Sequence, residues 1–265
     1  MGYSSLANYK CITPHKWAGR LGYKISAIAI HHMAGNLSVQ QCGKVFLNND
    51  VSAHYGIDNN GNIGVYVDEK DSSWSMGSRV WNRKVVSIEL ANCTGSPTWK
   101  VSDKVIEKCI DLVVDIAYRN GWTYVAYDGT LSGSDIIAHK WVAPTACPGP
   151  YMINNGKLKY IAQQADKKLK AKRAADKTKK AYTGTFPTLP ARGYFKSGDG
   201  GTKGTTNVKN LQKLLNWING GSISVDGRIG PKTINAVLIA QKILGVKADG
   251  LFGKDTLAKA KAYRK

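Results

Sequence analysis

Apolar positions along the chain recur at two different spacings, and the switches between them mark out the elements. Ile25-Ser26-Ala27-Ile28-Ala29-Ile30 is a short, β-branched apolar run that predicts a buried strand. After Ser38 the spacing becomes helical, with Val39, Cys42, Val45 and Phe46 on one face and an end near Asn48-Asn49-Asp50. Strand-like segments at 53–58 and 63–67 flank Asn59-Asn60-Gly61, whose chemistry suits a hairpin turn. Val85 to Ala91 reads as a further strand. The clearest helix runs from Asp103 to Arg119, with Val105, Ile106, Cys109, Leu112, Val113 and Ile116 on one stripe and Gly121 set to stop it. Strands mixed with helices predict an α/β unit over residues 1–165.

The pattern then changes twice. From Lys157 to Ala181 the chain is rich in Lys, Ala, Asp and Gln, which predicts an extended basic helix running out of the first domain. Thr183-Gly184-Thr185-Phe186-Pro187-Thr188-Leu189-Pro190 breaks it and reads as a hinge, so residues 166–190 are expected to form a linker. Residues 191–265 contain an internal repeat. Val225-Asp226-Gly227-Arg228-Ile229-Gly230-Pro231-Lys232-Thr233 is echoed 23 residues later by Ala248-Asp249-Gly250-Leu251-Phe252-Gly253-Lys254-Asp255-Thr256. With an earlier amphipathic stretch from Asn207 to Asn219, this predicts a small all-α module of three helices.

Composition adds two constraints. The 265 residues carry a formal charge of +20, a field that calls for a polyanionic partner such as nucleic acid, an anionic surface or a phosphate-rich wall polymer. No nucleic-acid recognition motif accompanies it, and no apolar run approaches the ~18 residues of a membrane span. The opening Met1-Gly2-Tyr3-Ser4-Ser5-Leu6 lacks the basic head and apolar core of a signal peptide, so export by that route is not expected. Cys11, Cys42, Cys93, Cys109 and Cys147 are odd in number and scattered, which favours free thiols over a disulfide framework.

Three elements carry candidate chemistry. Ile28-Ala29-Ile30-His31-His32 puts two histidines at a strand end, and alternation sends them to opposite faces, so one of them can enter a cleft. His139 closes the apolar run Ile136-Ile137-Ala138, and Cys147 follows 8 residues later in a loop stiffened by Pro144, Pro148 and Pro150. Two imidazoles and a thiolate form a three-ligand zinc set that leaves a fourth position for water, the mark of a catalytic site. In Val85-Val86-Ser87-Ile88-Glu89-Leu90-Ala91, Val86, Ile88 and Leu90 share one face while Ser87 and Glu89 share the other. A carboxylate there needs solvent, a counter-ion or a metal-bound water, and beside a zinc site Glu89 is the natural general base.

These segments resemble the zinc N-acetylmuramoyl-L-alanine amidases of phage endolysins, autolysins and peptidoglycan-recognition proteins. The likeness is carried by Ile30-His31-His32-Met33-Ala34-Gly35, Ser52-Ala53-His54-Tyr55, Ser87-Ile88-Glu89 and His139 through Thr145-Ala146-Cys147-Pro148-Gly149. It implies a mixed central sheet flanked by helices, and one zinc ion on His31 rather than His32, with His139 and Cys147. It also implies Glu89 and Thr145 as catalytic groups, His54 as an oxyanion donor on the substrate side, and Trp74 beside the substrate groove. Some members have a tyrosine where this chain has Ala53; the subgroup resembled here uses the glutamate instead. The tail resembles a helical peptidoglycan-binding module through its two Asp-Gly-x-x-Gly-x-x-Thr copies.

The resemblance implies hydrolysis of the muramoyl–L-alanine amide, with bacterial peptidoglycan and anionic wall polymers as partners. A phage endolysin, held in the host cytoplasm until lysis, is the expected setting. An autolysin of the same chemistry and a non-catalytic peptidoglycan receptor are the alternatives.

Overall fold

The computed structural model describes residues 2–178, 180–221 and 223–265. They form two compact units, Met1–Ala174 and Ala175–Lys265. The first opens with strands β1 (Tyr9–Lys10), β2 (Lys16–Trp17) and β3 (Ala27–His32), helix α1 (Val39–Asn48) and the hairpin β4 (Tyr55–Ile57) and β5 (Ile63–Val65). Strand β6 (Ser72–Ser73), helix α2 (Arg79–Lys84), β7 (Val85–Leu90), α3 (Asp103–Arg119) and β8 (Ile136–Ala138) follow, then α4 (Pro150–Asn154) and α5 (Lys157–Thr178).

Six strands make one sheet in the order β1-β5-β4-β7-β3-β8. Strands β4, β7, β3 and β8 are mutually parallel, and β5 returns antiparallel beside β4. Alternation gives the central strands two unlike faces. On one, Ile28, Ile30, Val86, Ile88, Leu90 and Ile136 pack with the apolar stripe of α3 in the main core. Full burial of each large side chain there contributes roughly 1.5–3 kcal/mol. On the other, Ala27, Ala29, Val85 and Ile137 form a smaller cluster with Met76. The continuation of that second face is where the polar residues of β3 and β7 emerge.

Local sequence explains the flanking elements. Ser38 caps α1 in a capping box: its Oγ accepts from the Gln41 N–H at 3.2 Å, and Gln41 Oε1 accepts from the Ser38 N–H at 2.8 Å. Val45, expected on the buried face of α1, points outward at 39% exposure. Gly43 is buried in its stead, because a Cβ there would lie 3.2 Å from the Tyr66 ring and 3.3 Å from Cys11. Helix α3 has the bounds that the sequence predicts, with Ser102 as its cap.

Helix α5 starts in the expected first domain and runs into the expected linker, and of its buried residues only Leu169 lies within that linker. Leu158, Ile161, Ala162, Ala165 and Leu169 join the α3 side of the sheet, while Lys168 pairs with Asp111 at 2.7 Å. The unit boundary therefore falls after Ala174 rather than at residue 165. The segment expected as a hinge is packed as well. Phe186 and Leu189 lie against the second unit's core, and the Tyr182 ring meets Phe186 and Trp217.

That second unit holds β9 (Tyr194–Phe195), α6 (Thr206–Asn219), α7 (Pro231–Leu244), β10 (Phe252–Gly253) and α8 (Lys254–Ala262). Its three longer helices match the expectation from sequence; the β9–β10 ribbon, which pairs Phe195 with Phe252, is additional. Each copy of the repeat is locked by a buried glutamine from the preceding helix. Gln212 Nε2 donates to Asp226 Oδ1 at 2.8 Å and to the Arg228 carbonyl at 2.9 Å, and its Oε1 accepts from the Gly227 N–H at 2.8 Å. Gln241 repeats the pattern on Asp249 at 2.8 Å, the Leu251 carbonyl at 3.0 Å and the Gly250 N–H at 2.9 Å. Gly227 and Gly250 sit at φ 82° and 74°, a left-handed conformation that only glycine adopts without strain.

Removing either amide strands buried backbone groups. Gln212→Ala and Gln241→Ala are each expected to cost about 1–3 kcal/mol of stability, read from urea unfolding of the full chain. An unchanged midpoint in both would show that the amides hold nothing.

Candidate metal centre and active site

Strand register assembles the site. In the parallel β3–β7 pair His31 stands opposite Glu89, and on the other flank Ile30 stands opposite Ala138. One residue further along, His139 comes up beside His31, with the ring centroids 4.7 Å apart. Glu89 and His31 on neighbouring strands and His139, the first residue of the 3-10 turn that follows β8, thus form a row on the side that the main core does not use. Adjacent strands lie about 4.8 Å apart, close to the reach of one metal ion's ligand sphere.

The fourth member arrives by loop. The Lys140 N–H donates to the Cys147 carbonyl at 2.9 Å, the Cys147 N–H to Thr145 Oγ1 at 3.2 Å and the Gly149 N–H to the Ala146 carbonyl at 2.8 Å. These bonds fold residues 140–149 back so that Cys147 Sγ lies 3.5 Å from His31 Nδ1. One ligand atom from each of His31, His139 and Cys147 falls within 4.8 Å of the other two. His32 faces away, edge-on to Trp99 at 5.5 Å.

The electrostatics suit a cation. Burial, then the neighbouring His139, His32 and His54 rings, hold His31 well below the ordinary histidine range, so it is a neutral donor. Burial lowers His139 as well. Burial and the Glu89 carboxyl push the Cys147 thiol up, and burial pushes Glu89 up to about 8. Among the described residues five buried side-chain atoms have no hydrogen-bond partner, and two of them, His31 Nε2 and Glu89 Oε2, belong to residues that stand opposite each other on β3 and β7. Such orphans are costly in a folded chain, and two of them on facing residues mark a place built for a ligand. Two imidazoles, a thiol and an unpartnered ring nitrogen fit a borderline-soft divalent cation.

The remaining expected residues lie differently. Thr145 is in the Cys147 loop, its oxygen accepting from the Cys147 N–H. Trp74 is partly buried in a ring cluster, stacked on His15 at 5.6 Å and tilted against Trp17 at 5.7 Å. His54 does not offer itself to a substrate as expected. It is fully buried, its Nδ1 accepts from the Ser87 N–H at 3.1 Å, and its Nε2 lies 2.9 Å from Arg20 Nη2 and 3.2 Å from the Asp71 carbonyl. Burial and the Arg20 charge push it down to about 3, leaving a neutral structural ring.

Two supporting residues had no signal in the sequence. Arg20 is buried and ties the Glu69, Arg83 and Val85 carbonyls together around His54. Asn92 is fully buried, donates to the Trp99 carbonyl at 2.8 Å and accepts from the Gly35 N–H at 3.3 Å, which fixes the loops beside His32. Neither sits in a periodic or motif context that would distinguish it from a surface residue.

Comparison with known proteins follows the same lines. Residues 21–150 match the family described as N-acetylmuramoyl-L-alanine amidase, and residues 204–259 match the putative peptidoglycan binding domain. A probable N-acetylmuramoyl-L-alanine amidase of Bacillus licheniformis is 29% identical over 160 residues, 59% of this chain and 40% of its own length. The N-acetylmuramoyl-L-alanine amidase CwlL of the same organism is 27% identical over 180 residues, 66% of this chain and 44% of its own. The chain thus spans under half the length of these relatives. In fold, the Staphylococcus aureus hydrolase AmiA in complex with its ligand is similar at a TM-score of 0.52 and 15% identity, covering 63% of this chain and 84% of that one.

The placement of His54 has a measurable consequence. His54→Ala strands the Ser87 N–H in the sheet and is expected to lower stability by about 1–3 kcal/mol in thermal or urea unfolding. A variant that melts with the parent and differs only in substrate affinity would contradict this placement.

Proposed function

We propose, from the match of residues 21–150 to the N-acetylmuramoyl-L-alanine amidase family and of residues 204–259 to the putative peptidoglycan binding domain, that this chain hydrolyses the amide between the muramic lactyl group and L-alanine of bacterial peptidoglycan. The observation that carries the reading is the convergence of His31, His139 and Cys147 next to Glu89 on the facing strand.

His31, His139 and Cys147 would hold one zinc ion. When bound, zinc supplies Lewis acidity: it lowers the pKa of a water in its open position to about 7 and polarises a carbonyl oxygen. Glu89 Oε2, sealed and unpartnered, is the atom that would take the proton from the attacking water and return it to the departing amine nitrogen. A carboxyl held near 8 by burial can both accept and release a proton around neutral pH; a nearby cation would favour its ionised form. Thr145, whose oxygen is already anchored by the Cys147 N–H, would donate its hydroxyl proton to the developing oxyanion. Trp74, with His15 and Trp17, would offer a ring surface to the glycan or stem peptide.

The second unit would keep the enzyme on an insoluble substrate. Residues 175–265 hold 17 Lys and Arg against 5 Asp and Glu, a formal +12 of the chain's +20. This charge supports attraction to anionic wall polymers as well as to peptidoglycan. A catalytic unit joined to a wall-binding one suits a phage endolysin that reaches the wall when its host cell lyses; an autolysin shares the chemistry.

Digestion of purified sacculi by the full chain is expected to free L-alanine amino termini without new reducing sugars, scored by mass spectrometry. Glu89→Gln should keep about one zinc per chain and lose roughly 10²–10⁴ of turnover. Cys147→Ser should lose metal and activity together. Full turnover in either variant would remove the assignment.

A further inference from the structure

The second unit contains two clefts, of about 460 Å³ and 880 Å³, and they are copies of one another. The smaller is lined by residues 223, 224, 226, 228 and 230–233. Each of those eight positions has its counterpart 23 residues on, and all eight counterparts line the larger cleft. The repeat therefore duplicates a concavity as well as a turn. Both copies rest on the same buried scaffold, Gln212 under Asp226 and Gln241 under Asp249.

The clefts also share a charge character. The smaller presents exposed Arg228 and Lys232 beside Asp226; the larger presents exposed Lys247, Lys254 and Lys259 beside Asp249 and Asp255. The Gln212 amide keeps the Asp226 carboxyl below its ordinary range, and the Leu251 N–H followed by Gln241 does the same for Asp249. Those acids stay ionised, and each has its Oδ1 committed to the scaffold. A wall of cations alone would suit a polyphosphate. Cations alternating with fixed carboxylates suit instead a chain with both carboxylates and N–H groups, which is a peptide.

We infer that the two clefts are equivalent binding sites for carboxylate-bearing peptide, so that one module grips two stem peptides of the same wall. The inference rests on the peptidoglycan reading above and adds to it the sites, the ligand group and the valency. Repeated stem peptides on a glycan strand let the second cleft bind at high effective concentration, which raises retention without any new contact.

The test uses the full chain and four variants. R228E/K232E disables the smaller cleft, K247E/K254E the larger, and a quadruple variant both. K209E/K213E, on the exposed side of α6, reverses the same charge outside the clefts. The probes are sacculi stripped of phosphate polymers and a soluble disaccharide–peptide, with melting curves confirming that each variant folds. Every chain carries Glu89→Gln so that the probe is not consumed; beyond the one disaccharide–peptide held at the active site, the parent is expected to bind two per chain by calorimetry, each double cleft variant one, and the quadruple variant none. Retention on stripped sacculi should fall roughly tenfold or more for each cleft variant and stay near the parent for the α6 control. Fewer than two peptides per parent chain beyond the one at the active site, or equal retention of cleft and control variants, overturns the two-cleft inference and leaves the peptidoglycan reading standing. A parent that ignores stripped sacculi overturns both.

Discussion

The register of three parallel strands, β7, β3 and β8, is the constraint on which the catalytic unit depends. Because side chains alternate, a one-residue slip in any of the three would move Glu89, His31 or His139 to the opposite face. The main core forbids that slip. Ile28, Ile30, Val86, Ile88 and Ile136 occupy the other face, and a shifted strand would drive its polar residues among them and expose its isoleucines. Apolar packing on one side of the sheet therefore sets the positions of the candidate metal ligands on the other.

The site itself is a place of unmet demand. Glu89 and His31 are held in a poorly solvated environment with polar atoms left unpaired, which costs free energy. The cost is tolerable because the surroundings are over-determined. Arg20 and His54 brace the neighbouring end of β7, Asn92 anchors the loops past β3 and β7, and backbone bonds fold the Cys147 loop. Pre-organisation of this kind would let the proposed cation and substrate bind with little movement. Low local polarity also strengthens every charge interaction inside the site.

The second unit solves a different problem with a small core. Its turns cannot bury much apolar surface, so two glutamines do the fixing, each satisfying backbone groups of an Asp-Gly turn from inside. That leaves the outer rim of the unit free to carry a strong positive charge. Division between the units is thus physical: the first concentrates shielded, neutral donors, and the second displays solvated charge.

Much of this was legible in the sequence. Element types followed from periodicity, and helix α3 from its stripe and the Gly121 that stops it. His139 and Cys147 were legible as candidate ligands because an imidazole closing a strand and a thiol 8 residues on in a proline-stiffened loop are good zinc donors, and the strand alternation around Glu89 already separated carboxylate from core. Resemblance to a known family, not residue chemistry, chose His31 over His32. What the sequence did not contain was partnership at long range. His54 looked available for substrate until the fold buried it beside Arg20, 34 residues away in the chain. The linker looked solvated until Leu169 within it was found in the core, with Phe186 and Leu189 packed on the second unit. Nothing in the sequence singled out the glutamines of α6 and α7, which meet turns 14 and 8 residues on. Local pattern determines which face a residue takes, because alternation and helical pitch are properties of the chain. Which polar group meets which is decided only when distant segments pack, since burial and hydrogen bonding are properties of the neighbours.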